Sequence, residues 1–178
     1  MQTIICMKWG NRYGSNYVNN LYKSIKKFTC KKTQLICFTD DKKDIITDVI
    51  CKPLPKIKIP KSLSNTPWRK LSVWKYPLYD LNGDILFLDL DLVITNNLDK
   101  FFNYKPGTFC VIENWTQPGK NIGNTSCFRF PVKKHKYIFE EFEKNANYIW
   151  KKYHIEQVYI SKIIKEQNFW PQNWCKSF

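Results

Sequence analysis

The segment Ile85-Leu86-Phe87-Leu88-Asp89-Leu90-Asp91-Leu92-Val93-Ile94 constrains the fold more than any other stretch of this chain. It is apolar on both faces until two carboxylates interrupt it. Such a strand suits the centre of a sheet covered on both sides, and sheets of that kind are largely parallel, with helices packed over them. Side chains at i and i+2 of a strand share a face, so an extended segment sets Asp89 and Asp91 side by side, about 6–7 Å apart at Cα. Two carboxylates placed together repel and desolvate one another, and without a cation at least one should have a raised pKa. A hard divalent ion, Mn²⁺ or Mg²⁺, relieves that conflict, sharing its remaining coordination with substrate phosphates and water. The plainer alternative is a pair of solvated residues capping a turn.

The remaining pattern is that of an α/β chain. Thr3 to Met7 reads as a buried strand, followed by Tyr17, Val18, Leu21, Tyr22, Ile25 and Phe28 at helical spacing behind Ser15, a candidate N-cap. Gln34–Thr39 and Val49–Leu54 read as further strands, and the Pro- and Lys-rich stretch from Pro53 to Pro67 as a connection. Thr66-Pro67 predicts a helix start, with Trp68, Leu71, Val73, Trp74 and Leu78 forming its apolar face and Pro77 kinking or ending it. Asn82-Gly83-Asp84 is a turn, Thr108–Ile112 and Ser126–Phe130 are strands, and Pro131–Tyr153 and Glu156–Glu166 are helices. In 178 residues, 43% of them hydrophobic, one core is the expectation, and so one domain over 1–178.

The net charge of +14 favours acidic partners: phosphates, nucleic acid or an anionic membrane met peripherally. The lysines are scattered beside many Asn and Ile, whereas sequence-specific nucleic-acid modules cluster Arg and aromatics on one element, so no specific nucleic-acid partner is expected. Seven cysteines without a CxxC, several inside apolar runs, read as free thiols of a reducing compartment. No run reaches the ~18 apolar residues of a membrane span, and no signal-like leader opens the chain, so the expectation is a cytoplasmic protein. The sequons at Asn114 and Asn124 then read as chance matches.

At Leu86-Phe87-Leu88-Asp89-Leu90-Asp91, followed by Val93-Ile94 and Asn97-Leu98-Asp99, the sequence resembles the DxD segment of GT-A glycosyltransferases, particularly the small bacterial family-8-like enzymes. Trp68-Arg69-Lys70-Leu71 looks like that family's basic helix, Asn124-Thr125-Ser126-Cys127-Phe128 like its Asn-containing strand, and Glu156-Gln157 falls where many members have Asp-Gln. The resemblance implies a GT-A, Rossmann-like fold, a mixed and largely parallel sheet flanked by helices, binding a nucleotide-sugar. By the same resemblance Asp91 would ligate the metal, and Asp89 would contact the metal or the donor ribose. Lys70 would reach the donor phosphates or sugar, Asn124 would line the sugar or acceptor site, and Glu156 and Gln157 would sit by the anomeric carbon as catalytic residues. The first loop, Lys8 to Tyr13, would hold the base, with Trp9 or Tyr13 stacking on it and Asp40 nearby. The family usually adds a His ligand from a C-terminal closing segment; this sequence shows no such segment, and its histidines, His135 and His154, fall in predicted helices.

The implied activity is a metal-dependent hexosyl transfer, with retention, from a nucleotide-sugar donor, UDP-sugars favoured, to a saccharide or lipid-linked acceptor. Two rivals stand beside it. Hydrophobic-Asp-x-Asp-x-Val also resembles the nucleophile motif of haloacid-dehalogenase phosphatases, which normally opens its domain; here several strands precede it. A basic module binding nucleic acid or membrane without catalysis is the other.

Overall fold

The computed structural model describes residues 1–177. Seven strands form one sheet: β1 (Gln2–Lys8), β2 (Thr33–Thr39), β3 (Ile50–Lys52), β4 (Asp84–Leu88), β5 (Cys110–Glu113), β6 (Gly123–Pro131) and β7 (Asn168–Phe169), in the order β3-β2-β1-β4-β6-β5-β7. β1 is flanked in parallel by β2 and β4, with Ile5 opposite both Ile36 and Phe87. β6 runs antiparallel between β4 and β5. The carboxyl ends of β1, β4 and β5 therefore lie along one edge, where open α/β sheets place their ligands.

Alternation within the strands divides the core into two layers. Ile5, Met7, Ile85, Phe87 and Phe128 face a layer closed by the 3₁₀ segment Pro67–Trp74 and by α3 (Tyr137–Tyr153) and α4 (Glu156–Ile163). Ile4, Cys6, Leu86, Leu88 and Cys127 face the other, closed by α1 (Ser15–Phe28), α2 (Asp99–Asn103) and Trp170. Val18, Leu21 and Ile25 are the buried stripe of α1, each contributing roughly 1.5–3 kcal/mol by leaving water.

Several sequence expectations need correction. The N-cap of α1 is Gly14, not Ser15, which is already helical. Behind Thr66 the chain winds as a 3₁₀ helix rather than an amphipathic α-helix: Trp68, Lys70, Leu71, Ser72, Val73 and Trp74 are all buried, leaving only Pro67 exposed and Arg69 half-buried. Thr66 turns its hydroxyl back to the Leu63 carbonyl, 2.7 Å away, instead of capping forward. Pro131 ends a strand rather than opening a helix, which begins only at Tyr137. His135 lies in the intervening turn, 4% exposed, and His154 is the exposed C-cap of α3 at φ 60°. α2 and β7 are too short to leave a periodic signal.

Candidate functional site

β4 stops at Leu88, so Asp89 and Asp91 are not strand neighbours sharing a pleat. The Asp89 N–H still pairs with the Ser126 carbonyl at 2.8 Å, after which the chain turns and buries Leu90 in the layer beneath. A turn, rather than a pleat, brings both carboxylates to one cleft. Its volume is about 580 Å³, and its walls include Trp9, Arg12 and Tyr13 of the loop after β1, Asn65 and Lys70 of the 3₁₀ region, and Asp89 and Asp91.

Beneath the cleft lies a buried charge network. Lys70 Nζ is 3.2 Å from Asp89 Oδ2 and 3.3 Å from Glu156 Oε1, and donates to the Thr125 carbonyl at 3.2 Å. Thr125 Oγ1 donates to Glu156 Oε1 at 2.8 Å, while Glu156 Oε2 has no partner. Burial opposes the charge on Lys70, yet the two facing carboxylates outweigh it and hold its pKa above the usual value. Asp89 is pushed the other way from a normal ion-paired acid: desolvation raises its pKa more than Lys70 and a hydrogen bond from Ser126 lower it. Asp91 is exposed, and its Oδ2 accepts a 2.7 Å hydrogen bond from Tyr13.

The other predicted residues are spread over several places. Trp9 and Tyr13 line the cleft with Asp89 and Asp91. Lys8 and Asp40 line a neighbouring hollow of about 480 Å³ on the far side of the same loop, where Lys8 Nζ donates to the Asp41 carbonyl and Asp40 accepts the Gly10 N–H. Asn124 points to the opposite face of β6 from buried Thr125 and accepts the Ser126 N–H at 3.0 Å, a local turn bond. Glu156 is 1% exposed within the network, and Gln157, half-buried, follows it outside that network. Lys70, expected on an amphipathic helix, is instead almost fully enclosed.

Sequence reasoning did not single out Arg12, Asn65 or Thr125. Strand alternation carried the signal for Thr125, since buried Gly123 and Thr125 alternate with half-buried Asn124 and Ser126, whereas Cys127, past the register shift with β5, faces the other layer. Nothing local marked Asn65.

No family model matches the sequence, and no curated protein matches it either. Solved structures do. The galactosyltransferase LgtC, in a complex with donor and acceptor sugar analogs, superposes with a TM-score of 0.67 at 10% identity, over 94% of this chain and 73% of that one. An active-site mutant of LgtC, Q189E, gives 0.68 at 12% identity over 94% and 72%. The glycosyltransferase GlyE of Streptococcus pneumoniae TIGR4 gives 0.64 at 12% identity, over 98% of this chain and 46% of that one. The chain has the glycosyltransferase GT-A fold. A haloacid-dehalogenase reading of the Asp89 segment finds no support in that architecture.

Mn²⁺ or Mg²⁺ is the group such a cleft raises for consideration. Among the described residues no cluster of three His, Cys, Asp or Glu could hold an ion. Two carboxylates opening on a common cleft do fit a cation that takes its other ligands from a diphosphate and water, the habit of Mg²⁺ in particular.

Proposed function

We propose that the chain transfers a hexose from a nucleoside-diphosphate sugar, with UDP-sugars preferred, to a hydroxyl of a saccharide or lipid-linked acceptor, in a metal-dependent reaction that retains configuration. The observation that carries this is the meeting of Asp89, Asp91, Arg12 and Trp9 around one cleft at the carboxyl edge of a GT-A sheet.

Each residue has a chemical part. Trp9, half-buried and packed on the core, presents a ring for the base; Tyr13 is less available, since its hydroxyl holds Asp91 and its ring meets Tyr17 edge-on at 4.8 Å and carries Arg12 at 5.3 Å. Asp89 and Asp91 would hold Mn²⁺ or Mg²⁺ against the diphosphate. When bound, such an ion supplies Lewis-acid neutralisation of charge on the departing nucleoside diphosphate. Arg12, on the cleft wall, gives the phosphates a fixed cationic partner. Lys70 keeps Asp89 in place and adds positive potential from beneath.

Calorimetric titration of UDP and GDP with and without Mn²⁺ tests the reading. UDP binding should require the metal and be lost in Asp91→Asn. If neither nucleotide binds under any condition, or binding ignores both metal and Asp91, the reading fails.

A further inference from the structure

The face of α3 turned away from the core carries a second surface, independent of the cleft. Past the interruption at Asn145, Tyr148, Lys151 and Lys152 stand at i, i+3 and i+4 on one side of the helix, with Lys144 just before it, and all four are exposed. Phe142 and Ile149 anchor the opposite side in the core. Tyr148 is 63% exposed with the Lys152 ammonium 5.3 Å from its ring centre, and Ile155, just past the helix end, is 40% exposed.

Alongside these residues an open groove of about 850 Å³ separates α3 from the segment Lys58, Ile59 and Pro60. The helix is interrupted here, at Asn145 (φ −131°, ψ 29°). The acidic groups at hand are Glu143, which accepts the Lys58 N–H at 3.1 Å, and exposed Glu141, which accepts from the Asn145 amide at 2.8 Å; both keep their charge, and Lys58, Lys144, Lys151 and Lys152 outnumber them. What faces outward is a cationic surface with one amphipathic aromatic side chain, Tyr148, beside Lys152.

We propose that this face docks peripherally on an anionic lipid bilayer, the lysines lying over the headgroup charge while Tyr148 enters the interfacial layer. Basic residues beside an interface-seeking aromatic on one side of a helix suit a lipid surface. A nucleic acid is disfavoured on two counts. The chain's three arginines, Arg12, Arg69 and Arg129, lie elsewhere, although guanidinium is the group best shaped for bidentate phosphate contact. The Tyr148 ring, with Lys152 beside it, is also less open to base stacking. α3 keeps its apolar side in the core, so the contact is one of surface attachment.

Co-sedimentation of the full chain with phosphatidylcholine vesicles, with and without about one-third phosphatidylserine at about 0.1 M salt, tests this. Binding should appear only with the anionic lipid. Each lysine near such a surface is worth about fivefold, so Lys144→Gln/Lys151→Gln/Lys152→Gln should weaken partitioning about a hundredfold. The control Lys23→Gln/Lys26→Gln/Lys27→Gln removes the same charge from exposed positions on α1 and should change partitioning far less. Thermal unfolding and UDP titration of both triple variants, expected unchanged, separate failure here from misfolding or failure of the transferase reading. Three results would each overturn the proposal: no preference for anionic vesicles, equal losses in the two triple variants, or tighter binding of a generic single-stranded oligonucleotide through the α3 lysines.

Discussion

Replacing Lys70 by Met isolates the charge network under the cleft. Methionine keeps much of the stem's volume where the lysine runs beside Phe87, its ammonium 5.8 Å from that ring's centre. The electrostatic loss is large. At an effective dielectric near 20, contacts of 3.2 and 3.3 Å to Asp89 and Glu156 each correspond to about 5 kcal/mol of attraction before desolvation is counted. Taking the ammonium out of water offsets much of that gain, and truncating one member of a buried ion pair typically costs a net 3–5 kcal/mol. The upper part of that range is expected here, because Glu156 would be left with Thr125 as its partner and its Oε2 is already unsatisfied. Urea denaturation of the wild type, Lys70→Met, Glu156→Gln and the double variant measures this. The double variant should recover part of the loss, since Glu156 no longer carries an uncompensated charge, while Asp89, which opens on the cleft, still lacks the ammonium. A loss below about 1 kcal/mol in Lys70→Met, or a double variant as unstable as the single one, would refute the claim that the ammonium neutralises these acids.

Three further outcomes follow from the structure. Asp89 is more readily protonated folded than unfolded, chiefly through burial, so its ionised form opposes folding; Asp89→Asn should be more stable than wild type near neutral pH, by a margin that shrinks as pH falls through the raised pKa and vanishes below 3.8. His135 is held neutral by burial, its pKa lowered to about 4, so the unfolded chain takes up the extra proton between pH 6.5 and about 4. Stability should therefore fall by about 3 kcal/mol across that window on acidification, and His135→Phe should remove that part of the pH profile in thermal melts. A Cβ on Gly123 would lie 2.5 Å from Val111 Cγ1, at the bulge between β5 and β6, and valine is stiff at χ1; Gly123→Ala should cost roughly 1–3 kcal/mol in denaturation, partly restored by Val111→Ala.

Much of the scaffold was legible without coordinates. The apolar runs of β1, β2 and β4 and the 3.6-residue stripe of α1 mark their own elements, because side-chain periodicity is a local property of the backbone. The same locality made the α/β class and the position of the carboxylate pair readable. It failed at the 3₁₀ segment Pro67–Trp74, where burial of nearly every residue erased the amphipathic pattern, and at α2 and β7, which are shorter than any period that could announce them.

What the sequence determined by itself, then, was an apolar central strand broken by Asp89 and Asp91. Tertiary structure decided how those carboxylates are used. It moved them out of the pleat and into a turn, gave Asp91 to Tyr13 across 78 residues, and gave Asp89 to Lys70 across 19. It also enclosed Glu156 with Thr125 from 31 residues away. The physical reason is that charge is compensated by whatever the fold brings within about 3–4 Å, and such proximity is set by sheet order and layer packing, which no local pattern of residues records.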